Sequence, residues 1–438
     1  MNATSSSPSA AAAPGAPGKP MLVAAAIIGN MLELYDFAVY GFFATALARA
    51  FFPAGDEVTS LLLTVATFGV GFFMRPLGAI VIGSYIDRAG RKAGLTLTIL
   101  LMGLSTAMIG LAPTYAQIGI AAPLIIVVAR LLQGFSLGGE VSGAIAYLVE
   151  QAPERRRGFY GSWQQTGQSA AGILASFTGY LLGTMLSPDD YGTWGWRVPF
   201  LIGLLIVPVG LYLRAKLTET PAFAAQLASG TQATTPLAET FRLHRRNVLA
   251  GLGVVIIGTA AIYVFFIYMP TYAIRELKIP PPTALLANGI GYVVMLVLSP
   301  LTGAWSDKVG AKPLVMFSTV AIGVVTLPLL AWLNAEPSLA RLIIVQFVLA
   351  ILLSFFTGPM PAMLAKLFPT RVRSTGVAIA YNLAVTIFGG FAPFIAVWLI
   401  ARTGNSLAPG YYVVFAAIVS LVALLTIKEQ WLDAESAT

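Results

Sequence analysis

The side chains able to do charge-based chemistry inside the apolar runs of this sequence are few, and all lie in its first third. They are Glu33 and Asp36, then Arg75, then Arg130 and Glu140. Glu33 and Asp36 are three residues apart, so a helix brings them to one face. Glu33, Arg75 and Arg130 each fall near the middle of an apolar run. A carboxyl in a low-dielectric setting can load and release a proton as its surroundings change. A guanidinium grips a carboxylate through two parallel hydrogen bonds. The candidates for proton coupling are therefore Asp36, Glu33 and Glu140, and those for an anionic substrate are Arg75 and Arg130. Arg130 serves equally well as partner of the proton-carrying acid. Static ion pairs are poor stabilisers where water is excluded, and ionisable groups at membrane depth mark functional sites by default. A single wet chamber facing all of these charges is the simplest expectation. Asn30, Gln164 and Gln168 from the first half, with Tyr381 and Asn382 from the second, can complete it.

Other chemistries lack their parts. The chain has no cysteine and one histidine, His244, so neither a thiolate nucleophile nor a metal cluster is expected. No phosphate loop or nucleophile constellation is recognisable, and the reading is of a protein that is not an enzyme and has no cofactor. The acids in the apolar runs make protons the expected ion at such a site, with sodium left open.

The elements that must carry these residues are membrane helices. The 438 residues are 57% hydrophobic and 10% charged, with a mean hydropathy of +0.82. Soluble domains carry about 25% charged residues. Runs of about 20 apolar residues fall near 21–45, 60–86, 93–112, 117–149, 157–187, 196–216, 246–275, 282–306, 312–334, 338–367, 373–402 and 408–427. The expected fold is all-α, with twelve transmembrane helices in two six-helix bundles. Most of the 26 basic residues fall in the loops on the side of both termini, among them Arg155, Arg156, Arg157, Arg245 and Arg246. That places both termini in the cytoplasm and explains the net charge of +8 without nucleic acid. Residues 1–19 read as a disordered tail, 20–216 as the first bundle, 217–245 as a cytoplasmic linker, 246–428 as the second bundle and 429–438 as a short tail. A six-plus-six chain can close its own pathway, so a monomer in the lipid bilayer is expected.

The halves repeat. GSYIDRAGRK (83–92) matches GAWSDKVGAK (303–312), with the aspartates Asp87 and Asp307 220 residues apart. PERRRGFYG (153–161) matches PTRVRSTGV (369–377), with the prolines 216 apart. Parallel repeats of this kind rock about a central site. In the first loop Gly83, Asp87, Arg88, Gly90 and Arg91 form a candidate latch. Gly90 suits a tight turn, Asp87 can receive the amides of a neighbouring helix N-terminus, and Arg91 can pair with Glu150. Lys366 stands in the second half where Glu150 stands in the first.

The signature GSYIDRAGRK, its weaker copy and RLLQG (130–134) resemble the major facilitator superfamily over the whole chain. GNMLELYDFAVYGFFA (29–44), FFMRPLG (72–78), RLLQGFSLGGE (130–140) and WGWRVPF (194–200) resemble its metabolite:proton symporter family. SWQQTGQ (162–168) and YNLAVTIFGGFAP (381–393) are most similar to bacterial citrate and tricarballylate transporters. The resemblance implies an inner-membrane symporter that takes up a small carboxylate, citrate-like, with protons. A dicarboxylate or 2-oxo acid, or a zwitterionic osmolyte such as betaine or proline, is the alternative cargo on the same fold.

Overall fold

Lipid offers the backbone no partner, so apolar runs of this length satisfy their amides and carbonyls internally, as helix. A computed structural model of the protein describes residues 31, 34–89, 91–138, 145, 148–149, 152–215, 240, 242–369 and 372–427, and among them there is no strand. The first helix runs over 34–42 and resumes as α1 (Ala44–Phe51). It is followed by α2 (Glu57–Ala89), α3 (Arg91–Leu111), α4 (Ala121–Leu137), α5 (Arg157–Met185) and α6 (Arg197–Ala215). The later part of the chain supplies α7 (Arg245–Ile262), α8 (Pro281–Val309), α9 (Ala311–Ala335), α10 (Leu339–Thr357), α11 (Arg373–Ala384), α12 (Ala392–Thr403) and α13 (Ala408–Thr426).

Seven helices among the described residues are long and apolar enough to cross a membrane, or eight if one bent pair counts as a single span. Two shorter apolar helices, Thr96–Leu111 and Ala121–Leu137, stand beside them. α5 has the length, at 29 residues, but is rich in Gly, Ser, Thr and Gln. Its packing explains the composition. It lies along α8, and where they cross, Gly158 and Gly303 bring the two backbones together. A Cβ on Gly158 would stand 2.4 Å from the Gly303 carbonyl oxygen. Small residues permit such an approach between membrane helices.

The α-helical ladder is widened at two places that matter. Tyr263–Tyr268 and Val385–Gly390 are π-helical turns, the widened form often found at functional sites. Prolines make further openings by removing an amide from the ladder. Pro76 leaves the Phe72 carbonyl without its intrahelical donor, and the Thr386 hydroxyl supplies one at 3.1 Å. Pro270 does the same to Phe266, whose carbonyl receives Asn288 Nδ2 at 3.1 Å. Each freed carbonyl thus ties its helix to another one.

The duplicated loop is seen best in its second copy. α8 ends at Val309, Gly310 turns the chain at φ +89°, and α9 begins at Ala311. The Asp307 carboxylate receives the Gly158 and Phe159 amides at 2.7 and 3.0 Å. An acid therefore caps the first turn of α5, where the helix dipole favours negative charge. In the first copy Gly83, Asp87 and Arg88 end α2 and Arg91 begins α3. Gly90 and Glu150 lie outside the described residues, and with them the expected Arg91–Glu150 pair.

Candidate functional site

Arg75 is brought into the protein interior by α2, one residue before Pro76, and is only 2% exposed. Its guanidinium lies 4.2 Å above the Phe72 ring and 5.6 Å from that of Phe37. It opens on a cavity lined by helices from both parts of the chain. Around it stand Gln165 and Gln168 of α5, Tyr263 at the end of α7, Tyr292 of α8 and Tyr381 of α11. Tyr263 lies beside Arg75, and Tyr381 beside Gln168. The cavity holds about 50 Å³ of water-accessible space. A water needs roughly 10–15 Å³ on that measure, so a few can hydrate the guanidinium.

Arg130 and Asp36 do not line this cavity, which corrects the expectation of a single chamber. Aromatic rings fill the space between. Arg130 of α4 is fully buried, with Phe37, Tyr40 and Phe68 at 4.1, 4.5 and 4.9 Å from its guanidinium carbon. A desolvated cation over a ring gains up to about 2 kcal/mol, which offsets part of the burial cost. Phe37 touches both guanidinium groups and stands between the two layers. Behind it Arg130 donates to Gln133 Oε1 at 2.6 Å, and Gln133 Nε2 donates to Asp36 Oδ2 at 3.4 Å. Asp36 is 3% exposed. Its Oδ2 also receives the Thr106 hydroxyl from α3. Its Oδ1 has no hydrogen-bond partner and faces Gly203 of α6, where an added Cβ would come within 2.7 Å. Acid and arginine are thus linked through an amide rather than paired directly.

The other sequence candidates divide. Tyr381 and Gln168 line the cavity; Gln164 is buried but does not, and Gln165 takes its place. Asn382 donates to the Gly138 carbonyl at 3.4 Å, a contact between helices rather than with the cavity. Asn30, Glu33 and Glu140 lie outside the described residues. Sequence reasoning passed over Gln133, Thr106 and Gln165. Gln133 was within reach, since it follows Arg130 by three residues and shares its helix face. A threonine in an apolar helix carries no such signal.

Comparison with known proteins assigns the architecture. The family model described as Sugar (and other) transporter matches residues 22–242, and that of the Major Facilitator Superfamily matches residues 274–433. A citrate-proton symporter of Salmonella typhi is 40% identical over 395 residues, covering 90% of this chain and 91% of the relative. The chain belongs to the major facilitator superfamily. A proline/betaine transporter of Escherichia coli (strain K12) is 36% identical over 416 residues, covering 93% of this chain and 83% of the relative. Among solved structures, the partially occluded inward open conformation of the xylose transporter XylE from E. coli superposes with a TM-score of 0.74 at 19% identity, over 92% of this chain and 96% of that one. This member of the superfamily is a multi-pass membrane transporter.

Proposed function

We propose that this transporter is a proton-coupled symporter of the bacterial inner membrane that takes up a small carboxylate, citrate or a related tricarboxylate, by alternating access. Twelve spans with both termini cytoplasmic, in a monomer, are the matching topology. The observation that carries the reading is the two-layer arrangement: Arg75 faces a largely apolar cavity that holds a few polar side chains, and Asp36 lies in a separate buried layer, linked to Arg130 by Gln133. Arg75 binds a cargo carboxylate, with Tyr381 and Gln168 beside it. Asp36 carries the proton, with Glu33 and Glu140 as further acids, and Arg130 answers its charge. The halves rock, the cavity opens to the other side, and proton and substrate leave together. Each net positive charge entering down 100 mV contributes roughly 2.3 kcal/mol. The 40% identity to citrate-proton symporters supports this cargo.

A zwitterion such as betaine is the second reading. The described lining holds one guanidinium among the rings of Phe37, Tyr263, Tyr292, Phe356 and Tyr381. One cation suits one carboxylate, and aromatic faces suit a quaternary ammonium. Proteoliposomes of pure protein test both. Uptake of labelled citrate should rise with an inward proton gradient, collapse with uncoupler and resist excess betaine. Betaine uptake without citrate uptake would establish the second reading in its place.

A further inference from the structure

Two acceptors compete for one proton beside Asp36. The Thr106 side-chain oxygen is placed to donate to Asp36 Oδ2 and also to the Met102 carbonyl oxygen, at 2.9 Å, one turn back on α3. A hydroxyl has a single hydrogen and two lone pairs, so it cannot serve both at once. If the hydrogen points to Asp36, the acid is ionised. If it points to Met102, a lone pair faces the carboxyl, and that contact is sound only when the carboxyl carries a proton and donates it.

We propose that Thr106 is a positioning residue for the transported proton: its hydroxyl rotates between the Met102 carbonyl and Asp36, so that the buried acid keeps a hydrogen-bond partner in both protonation states. The role rests on the reading of Asp36 as proton carrier and adds the residue that makes carrying feasible. A carboxyl in a sealed site is costly in whichever state lacks a partner. A rotor satisfies both states without moving the backbone.

The surroundings leave the task to Thr106. On its own helix Asp36 is flanked by Tyr35, whose hydroxyl is committed to the Pro199 carbonyl at 3.0 Å, and near Tyr40, committed to the Thr64 carbonyl at 3.2 Å. α4 contributes Arg130, reached through Gln133. α6 contributes Gly203, which has no side chain to offer. α2 contributes Arg75, on the far side of Phe37. The Gln133 amide donates to Asp36 and accepts from Arg130, so it is engaged on both ends. Among the described residues α3 brings only the Thr106 hydroxyl to the carboxyl.

The test needs no cargo. The C=O stretch of protonated Asp36, assigned by its loss in Asp36→Asn, is followed by infrared difference spectroscopy as pH is varied, in wild type, Thr106→Val, Thr106→Ala and Thr106→Ser. A hydrogen bond to a charged group is worth more than one to a neutral group, so removing the hydroxyl penalises the anion more. The protonated band should then persist to roughly tenfold lower proton concentration in Thr106→Val and Thr106→Ala. Thr106→Ser, which restores the rotor, should return the wild-type midpoint. An unchanged midpoint in both apolar variants, or a serine variant that behaves as valine does, overturns the proposal. A correct shift in protein that takes up no carboxylate would leave this inference standing and remove the cargo assignment.

Discussion

Arg75 and Arg130 are the same residue type in the same half of the molecule, yet their settings assign them different work. Arg75 shares a cavity with tyrosines and glutamines; Arg130 is enclosed by three rings and an amide. Only the first lines the cavity. A charge-assisted hydrogen bond contributes about 1.5–3 kcal/mol, so Arg75→Ala should weaken carboxylate binding roughly 10- to 150-fold. Arg75→Lys should recover little, because an ammonium lacks the planar fork that matches a carboxylate. Ligand-induced thermal shifts across a carboxylate panel measure both. Arg130→Lys should leave the equilibrium shift nearly intact and instead lower proton-driven uptake. Equal losses of binding at the two positions would contradict the division.

At the scale of the element, α2 carries Arg75 and needs a firm start at its other end. Asp56 provides it, receiving the Thr59 hydroxyl at 2.6 Å and the Thr59 amide at 2.9 Å. These bonds hold its carboxyl below the usual carboxylate range. A carboxyl depressed in the folded state stabilises fully at pH above its unfolded value, near 3.9, and loses that contribution as pH falls through the folded value. Asp56→Ala should therefore lower the melting temperature at neutral pH, with the gap to wild type closing in acid. Melting curves recorded across that range decide it. The same helix shows why proline sits so near Arg75. The carbonyl freed by Pro76 accepts from Thr386 in a widened turn of the later helices, so the helix that carries Arg75 is tied to another across the cavity.

For the whole molecule, the contact between α5 and α8 records a closed arrangement that must loosen if the halves rock. Asn288 reaches the Ser176 hydroxyl at 3.4 Å across it, and an added Cβ on Gly289 would lie 3.2 Å from that of Ser176. That is close to the 3.5–4.5 Å of a disulfide, and the chain has no cysteine to interfere. Ser176→Cys with Gly289→Cys should cross-link under mild oxidation and arrest uptake, and reductant should restore it. Each single cysteine should transport whether oxidised or not. Uptake that survives complete cross-linking would mean that this seam does not open.

What the sequence determined by itself is what local composition and spacing can carry. Long apolar runs require helix in lipid, and helix boundaries such as Arg157–Met185, Pro281–Val309 and Ala408–Thr426 fall within a few residues of the runs read from hydropathy. The motif repeats and the resemblance led to the superfamily that the comparisons assign. Arg75, Gln168 and Tyr381 were legible as polar groups at depth, and all three line the cavity. Only the tertiary structure decided which charges share water. A helical repeat states which residues lie on one face of one helix, but not which ring from another helix fills the gap. Phe37, an ordinary aromatic in the sequence, separates Arg75 from Arg130 and Asp36. Thr106 gains its place because α3 brings it to the acid from 70 residues away.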